Sequence, residues 1–530
     1  MANTMAGRFL TVALGLLAMA LAGAFPARAQ RAAPLPQVYL VQNSGWMEPF
    51  LIDASRPAFL AEVTAFITAT ALASGEVVIA SFNQHGQLLD RASPHVLYRG
   101  QASAPQIEAA VQRIDLPRRI HTDNAFTDAD LDGALERTVG EVLKFNPALI
   151  WIITNNKSSK DNSQEYEKNT RRFNEALNGL VAFTRIVAFP ITHPAKGLRY
   201  PGKPIPYEEK GYMIYGIAYD APGSTAAADQ LRSVATAPEV IRRFERPGLL
   251  KPLERSPLTF EAQRMWVNGV PQPPPKGQWL LLRDLPGGQP FTVHLCGRLR
   301  SEYFPQVIDN AITSATWETA EGGLQALPVQ ATIHLPPSAE RRIECPPQLP
   351  AAFSTGRLVI ERLRPLEILE NVTIALQIPA IERPAGLAGF LQPEREIRGT
   401  LSLDLRDMRL TILEEFRSRL DHVAASGSLP EIFLHYRDVH AASTPMRVTL
   451  GARFSSLPLI GAIVGVLATL ALSIAALVYL RRPRQHMVTI AGERCRVTLR
   501  PFETVRTKTP SGSRFEASGR LFGAPKVTPL

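Results

Sequence analysis

Cysteine is scarce in this sequence, and the common catalytic motifs are missing from it. Three cysteines occur among 530 residues, and none stands at zinc-site spacing from a histidine or another cysteine. The sequence contains no Gly-x-Ser-x-Gly, no His-Glu-x-x-His and no phosphate-binding loop. It therefore predicts a protein without metal or cofactor that is not an enzyme, with an envelope hydrolase as the alternative.

Net charge is also lacking from most of the chain. Residues 30–480 hold 45 basic and 45 acidic side chains, whereas residues 481–530 hold eleven basic and three acidic ones. Residues 1–29 contribute the remaining two positive charges. Because the excess is confined to the two ends, the formal net charge of +10 does not indicate a nucleic-acid partner.

Residues 1–29 have the form of a cleaved export signal. Arg8 precedes an apolar run over residues 9–25, and the Ala-x-Ala sequence at 27–29 fits the cleavage site of a signal peptidase. An uncleaved anchor is the alternative, and the break at Pro26 favours cleavage.

A longer uncharged run at residues 457–480 predicts a transmembrane helix. At about 1.5 Å of rise per residue the run reaches roughly 36 Å, enough to cross a hydrocarbon core of ~30 Å. The basic residues of 481–530 follow at once, and the positive-inside rule places this tail in the cytoplasm. Together with the signal form and the alanine, arginine and proline usage, this predicts a single-pass protein of the bacterial inner membrane. Residues 30–456 would then be periplasmic or extracellular.

The lipid bilayer is thus the first partner that the sequence indicates. Within the predicted helix, Gly461 and Gly465 form a Gly-x-x-x-Gly pair, which lets two helices approach closely. A homodimer through these glycines is one interpretation. Since glycine is common in membrane helices, plain lipid exposure is the other.

Two of the three cysteines fall in the region predicted to be exported. Cys296 and Cys345 would both meet an oxidising compartment, which favours a disulfide between them. Two buried free thiols are the alternative. Cys495 lies in the tail.

Residues 38–245 alternate apolar strands with amphipathic helices. The predicted strands are 38–41, 77–82, 149–154 and 181–189, and the predicted helices are 57–73, 130–143 and 165–180. Alternation of this kind predicts an α/β doubly wound fold, whose ligand site lies at the carboxyl ends of the strands.

Two of these strand ends resemble those of the von Willebrand factor type A domain. In that family a strand runs into Asp-x-Ser-x-Ser, a threonine follows in a later loop and an aspartate ends another strand. Together they hold Mg²⁺ in a metal-ion-dependent adhesion site. Here residues 38–47 read Val-Tyr-Leu-Val-Gln-Asn-Ser-Gly-Trp-Met, and residues 150–156 read Ile-Trp-Ile-Ile-Thr-Asn-Asn. The resemblance covers residues 38–245 and implies a binding domain whose ligand meets these loops.

The residues at the metal-binding positions depart from the family pattern. The five corresponding positions are Gln42, Ser44, Trp46, Thr127 and Asn155. Gln42 and Asn155 stand in place of aspartates, Trp46 in place of a serine, and a second alignment puts Ala129 at the threonine. Hard cations need anionic or well-directed oxygen ligands. The resemblance therefore implies a degenerate site, whose loops bind a partner without metal or simply pack.

A calcium-binding loop is a rival interpretation of one nearby segment. Asp128, Asp130, Asp132 and Gly133 match the opening of such a loop, but its twelfth position, where a bidentate acid is needed, is Val139. Acids in the first turn of a helix also complement the helix dipole, which explains them without calcium.

The chain after residue 247 changes in character, because prolines become dense and apolar residues alternate with polar ones. The alternating positions include Phe291, Val293, Leu295; Val329, Ala331, Ile333, Leu335; Val372, Ile374, Leu376, Ile378; and Leu401, Leu403, Leu405. This pattern predicts β-sandwich-like modules at 255–350 and 351–455, the second interrupted by a helix at 410–423. The tail is either a small β unit or disordered.

These observations predict a membrane-anchored binding or scaffold protein. The type A-like loops would contact another protein of the envelope without a working metal site. A transmembrane sensor that couples external binding to the tail is a further alternative, beside the hydrolase.

Overall fold

The computed structural model describes residues 34–52, 55–71, 75–86, 91–118, 126–157, 175, 177, 180–199, 205–254, 257–274, 280–319, 329–334, 358–383, 394–423, 435–455, 457–480, 482–490 and 492–530. The predicted signal at 1–29 and the second cysteine of the predicted disulfide, Cys345, lie outside these residues. Most of the predicted helix at 165–180 lies outside them too.

The N-terminal part of the chain is organised around a seven-stranded sheet. Its strands are β1 (Gln37–Gln42), β2 (Glu76–Phe82), β3 (His95–Gln101), β4 (Ala148–Thr154), β5 (Phe183–Arg199), β6 (Ile205–Tyr219) and β7 (Gly248–Lys251). They lie in the order β3-β2-β1-β4-β6-β5-β7. Only β1 with β2 and β1 with β4 are parallel; the other four neighbouring pairs are antiparallel.

The predicted α/β doubly wound fold is wrong, since the chain is mostly β and is built from several sheets. The largest departure is the pairing of β5 with β6, two strands of 17 and 15 residues that run antiparallel. Parallel neighbours need a long crossover, usually a helix, whereas antiparallel neighbours need only a turn. The sequence between the two strands contains Pro201-Gly202, a turn signal that could have indicated this arrangement.

Both faces of the sheet are covered, because the side chains of its central strand alternate between them. Tyr39 and Val41 of β1 belong to one buried cluster, whereas Val38 and Leu40 belong to another. The helices of this part are α1 (Glu48–Leu51), α2 (Ser55–Ala71), α3 (Ala104–Val111), α4 (Leu131–Arg137, continued by a π turn at Thr138–Val142), α5 (Ala226–Ala235) and α6 (Pro238–Phe244). Side chains of α2, α3, α5 and α6 join the first cluster, and those of α4 join the second.

A helix from far along the chain completes the second face. The sequence predicts it at 410–423, and the structure has strand β17 (Arg409–Ile412) followed by helix α7 (Glu414–Val423). Phe416 and Leu420 of α7 are buried in the same cluster as Val38 and Leu40. The first sheet therefore does not cover itself with its own helices alone.

Residues 258–453 contain two more sheets. Their strands are β8 (Leu258–Val267), β9 (Val270–Gln272), β10 (Leu280–Pro286), β11 (Phe291–Ser301), β12 (Gln306–Thr319), β13 (Gln330–His334), β14 (Leu358–Leu363), β15 (Ile368–Ile378), β16 (Glu394–Arg406), β17 and β18 (Ala442–Arg453). One sheet has the order β13-β15-β11-β8-β9, and the other β10-β18-β16-β12-β14 with β17 also on β12. Pairing of β11 with β15 and of β12 with β16 crosses residue 350. The two ranges predicted as separate β modules thus share both sheets.

The alternating apolar positions lie on these strands as the sequence predicts, except that Val329 precedes β13 by one residue and Leu335 lies outside the described residues. In β16, for example, Leu401, Leu403 and Leu405 are all buried. Cys296 on β11 is buried beside Trp266 and is disulfide-bonded. Its predicted partner lies outside the described residues, so the pairing itself stays a prediction.

The C-terminal residues form a long apolar helix and a small β module. Helix α8 (Leu457–Leu480) contains a 20-residue stretch of mean hydropathy 2.4 that no part of the fold buries, and it is long and apolar enough to cross a membrane. It is followed by β19 (Arg484–Ile490), β20 (Glu493–Leu499), β21 (Thr504–Lys508), β22 (Arg514–Ser518) and β23 (Lys526–Pro529). These strands share a core of Val488, Val497, Leu499, Phe515 and Ala517. Of the two structures expected for the tail, it adopts the β unit.

Candidate functional site

The five residues singled out by sequence lie together at one edge of the first sheet. Gln42 ends β1, and Asn155 directly follows β4, so parallel pairing of these strands brings their carboxyl ends together. The loop that contains Thr127 joins them, because its backbone carbonyl accepts a hydrogen bond from the Gly45 N–H at 2.8 Å. We call this set of loops the strand-end site.

The side chain of Gln42 is the centre of the strand-end site. It is fully buried, and its Nε2 donates to Ser44 Oγ at 2.7 Å and to the Lys157 carbonyl at 3.0 Å. The Thr154 hydroxyl donates to Gln42 Oε1. An amide side chain has two N–H donors and one carbonyl oxygen, so every polar group of Gln42 is engaged. The Ser44 oxygen therefore faces an N–H donor, an arrangement that disfavours a cation at that position.

Asn155 ties the loop after β4 to the loop after β1. Its Nδ2 donates to the Trp46 carbonyl at 2.8 Å and to Glu209 Oε1 at 3.1 Å. Its Oδ1 accepts from the backbone N–H of Lys157 at 3.2 Å. An aspartate at this position would supply negative charge to a metal ion, whereas Asn155 cross-links two loops by hydrogen bonds.

An internal ion pair, which the sequence did not indicate, supplies the charge of the strand-end site. Lys157 Nζ lies 2.8 Å from Glu209 Oε1, and their side chains are only 17% and 3% exposed. The same ammonium lies 5.5 Å from the centroid of the Trp46 ring, within the range of a cation–π contact. Glu209 lies on β6, the long strand that the sequence analysis missed, so this pair could not be anticipated without the antiparallel hairpin.

Trp46 and Thr127 differ in how far they reach the surface. Trp46 is half-buried, so it is neither a fully exposed anchor nor completely packed under its loop. Thr127 is 1% exposed, and its hydroxyl has no hydrogen-bond partner among the described residues. A Cβ added to Gly45 would lie 2.9 Å from Phe126 Cβ, so the two loops approach too closely for a larger residue at this position.

The acidic segment beside the site is accounted for by helix capping. Asp130 precedes α4, and its Oδ1 accepts from the Gly133 N–H at 3.1 Å. Its Oδ2 pairs with Arg137 at 3.0 Å. The sharing of Asp130 between a backbone donor and an arginine is the behaviour of an N-cap residue. Burial, followed by a hydrogen bond and repulsion from Asp130, raises the pKa of Asp132.

The described residues contain no group of three or more His, Cys, Asp or Glu side chains placed to hold a metal ion. The polar groups that meet at the strand-end site are amides, hydroxyls, an ammonium and the Glu209 carboxylate, and most of them are buried.

Comparisons with known proteins leave the family open. No family model matches the chain, and no curated protein matches it. One solved structure that it is similar to is the ASH / PapD-like domain of human CEP192 (PapD-like domain 7), at 8% identity, over 39% of this chain and 92% of that chain. The TM-score of 0.14 carries no argument about fold. The resemblance to type A domains therefore stays a prediction.

We expect Lys157→Met to lower the free energy of unfolding by roughly 3–5 kcal/mol, because it leaves a buried carboxylate without its cation. The double substitution Lys157→Met with Glu209→Gln should recover much of this loss, since the neutral amide still accepts from Asn155. Denaturant unfolding of the purified chain measures both effects.

The matched control is the neighbouring pair of Lys196 and Glu208, which lies at 2.7 Å but is 81% and 61% exposed. Because solvent screens the attraction between exposed charges, Lys196→Met should leave the free energy of unfolding unchanged. Equal losses for the two lysine substitutions would contradict a buried charge pair at the strand-end site.

A pH dependence follows from Asp132. A carboxyl whose pKa is higher in the folded than in the unfolded protein holds its proton longer when folded, so stability falls as pH rises from the ordinary value of 3.8 through the raised value. Asp132→Asn should therefore flatten the stability profile in that window and raise stability at neutral pH. Asp229→Asn, on another helix, serves as the control. If stability depended more steeply on pH in Asp132→Asn than in the unmodified chain, the pH dependence could not be assigned to Asp132.

Proposed function

We propose that this chain is a single-pass protein of the bacterial inner membrane that binds another envelope protein through the strand-end site. The observation that carries the proposal is α8, which has 24 residues without charge. Its stretch Ile460–Tyr479 is exposed, and a strongly basic module follows it. Burial of such a helix in hydrocarbon removes a large apolar surface from water.

A binding role for the strand-end site is supported by the hydrogen bonds that hold its loops in place. Hydrogen bonds from Gln42 and Asn155 connect three segments that are far apart in sequence. Loops that are held before binding lose less conformational entropy when a partner arrives. A half-buried Trp46 beneath the Lys157 ammonium offers both an aromatic face and a charge, and tryptophan is frequent among the residues that dominate interfaces.

One observation favours the sensor as a second candidate. The tail beyond α8 is a folded module with its own core, so it offers a defined surface to a cytoplasmic partner. Any coupling between binding outside the membrane and this module would pass through the single helix α8. Dimerisation of two such helices would be the simplest way to transmit it. A Cβ added to Gly461 or Gly465 would meet no described atom within 4 Å, so the glycine pair is open for such contact. The homodimer stays a prediction.

The anchor is tested by placing arginines in the centre of α8. Leu470→Arg with Ile474→Arg should release the chain from membranes during alkaline carbonate extraction, since each arginine costs about 2.5–3.5 kcal/mol at the centre of a bilayer. The control, Val270→Arg with Val359→Arg, changes two residues that are 57% and 62% exposed outside the helix and should remain in the membrane pellet. Release of the unmodified chain would refute the anchor.

The binding site is tested by photo-crosslinking in native membranes. Benzoylphenylalanine incorporated at Trp46 should yield one discrete adduct, and the same probe at Val270 should not. Mass spectrometry identifies the captured protein, and the purified pair should then lose affinity at least tenfold on Asn155→Ala because the loops are no longer tied together. A captured protein that binds the purified chain equally well after Asn155→Ala and Trp46→Ala would place the interface elsewhere.

A further inference from the structure

Phe502 and Phe522 are the two most exposed large apolar residues of the C-terminal β module, where Met487 and Leu530 are exposed as well. Phe502 is 78% exposed and Phe522 is 72% exposed, whereas Phe515 is fully buried. A 49-residue module, 482–530, with so small a core would gain stability from burying either ring. Their exposure therefore calls for a surface that covers them.

Both rings stand at the end of the module that adjoins α8. Strand β19 begins at Arg484, which pairs with Leu499 at the end of β20, and the Arg484 guanidinium lies 5.6 Å from the centroid of the Tyr479 ring in α8. Phe502 follows the end of β20, and its N–H donates to the Gly519 carbonyl at 2.8 Å. Phe522 is three residues beyond Gly519.

The backbone holds Phe502 in an unfavourable conformation. Its φ is +63°, in the left-handed region that bulky side chains rarely adopt. The turn is closed by the Glu503 N–H, which donates to the Arg500 carbonyl at 3.0 Å, and Gly519 packs against the same carbonyl. The ring is thus presented outward by a constrained turn rather than by a frayed end.

Positive charge surrounds the two rings. Residues 482–530 hold ten basic and three acidic side chains. Among the described residues of the module, one ion pair is formed, between Arg506 and Glu516 at 2.7 Å. Arg482, Arg500 and Arg520 are exposed. Arg500 and Arg520 each precede one of the rings by two residues, and Arg482 precedes Arg484, the partner of Leu499 at the end of β20, by two residues. We call Arg482, Arg500, Phe502, Arg520 and Phe522 the membrane-proximal end.

We propose that the membrane-proximal end docks on anionic phospholipid of the leaflet from which α8 emerges; this inference rests on the proposed anchor. Guanidinium groups bind phosphate oxygens with two parallel hydrogen bonds, and aromatic rings enter the interface between headgroups and acyl chains. Three residues link Leu480 to Arg484, so β19 starts within about 14 Å of the helix end. At that distance the bilayer surface is the partner always present, and its charge is opposite to that of the module.

The test measures the depth of spin labels on the full chain in lipid vesicles. Phe522→Cys and Ser513→Cys, each combined with Cys495→Ser, place one label at the membrane-proximal end and one at the turn at the opposite end of the β21–β22 hairpin. In vesicles of phosphatidylglycerol and phosphatidylcholine, the label at 522 should collide more with oxygen than with a water-soluble nickel complex. The label at 513 should show the reverse, as should the label at 522 in pure phosphatidylcholine.

A charge-matched pair of double variants separates the membrane-proximal end from the module's overall charge. Arg500→Gln with Arg520→Gln should shift the label at 522 toward the aqueous value. Lys508→Gln with Arg514→Gln removes the same charge at the far end of β21 and β22 and should leave the label in lipid. An equal shift in both double variants would overturn recognition by the membrane-proximal end.

Two further outcomes separate this inference from the anchor on which it rests. A label at Ala471→Cys in α8 should lie in lipid; an aqueous value there would refute the anchor. If the label at 471 collided more with oxygen while the label at 522 collided more with the nickel complex in anionic vesicles, only the docking would be refuted. A lipid value at 522 that persists in pure phosphatidylcholine would refute the requirement for anionic headgroups.

Discussion

Burial of both faces of the seven-stranded sheet is the constraint on which the rest of the structure depends. Every residue of β1 and of β4 is buried, so neither face can be left to water without exposing a continuous apolar surface. Helices near in sequence cover one face, but the second needs α7, whose Phe416 and Leu420 come from beyond residue 410. The strands between β7 and α7 must therefore fold in a way that returns α7 to this sheet, so the first sheet and the β-rich part of the chain share a buried cluster.

The same constraint shapes the strand-end site. Because β1 and β4 are parallel neighbours in the middle of the sheet, their carboxyl ends lie side by side, and the polar residues that follow them are in contact there. The hairpin of β5 and β6 adds a long strand beside β4, and this strand carries Glu209 to Lys157. With an ammonium fixed between a carboxylate and an indole, the site holds its own cation. Its charge balance is therefore set by the fold.

Local patterns in the sequence predicted the elements but not how they are joined. The apolar runs of β1, β2 and β4 and the alternating leucines of β16 lie where the periodicity placed them, because these patterns reflect burial of a strand's own side chains. Strand direction depends on connections, and the apolar pattern of 181–189 gives no information about the length or direction of β5. Gln42, Ser44, Trp46 and Asn155 were found because they end or follow apolar runs in a pattern that resembles the type A domain, whereas Thr127 was singled out through that resemblance alone. Lys157 and Glu209 were missed because their contact depends on the pairing of β4 with β6, which no local pattern encodes.

The distribution of charge follows a single physical rule on the two sides of α8. In residues 30–456, basic and acidic residues are equal in number, and buried or half-buried pairs such as Lys157 with Glu209 and Arg137 with Asp130 neutralise one another locally. After α8, most of the basic side chains have no acidic neighbour in the described module. Electrostatic attraction in salt solution decays over about 8–10 Å, so uncompensated charge acts only on what lies close by. Arg482 and Arg484 follow Leu480 by two and four residues, so at most about 7 Å and about 14 Å separate them from the helix end. The basic residues nearest α8 are therefore the ones that the opposite charge of a lipid headgroup layer would attract.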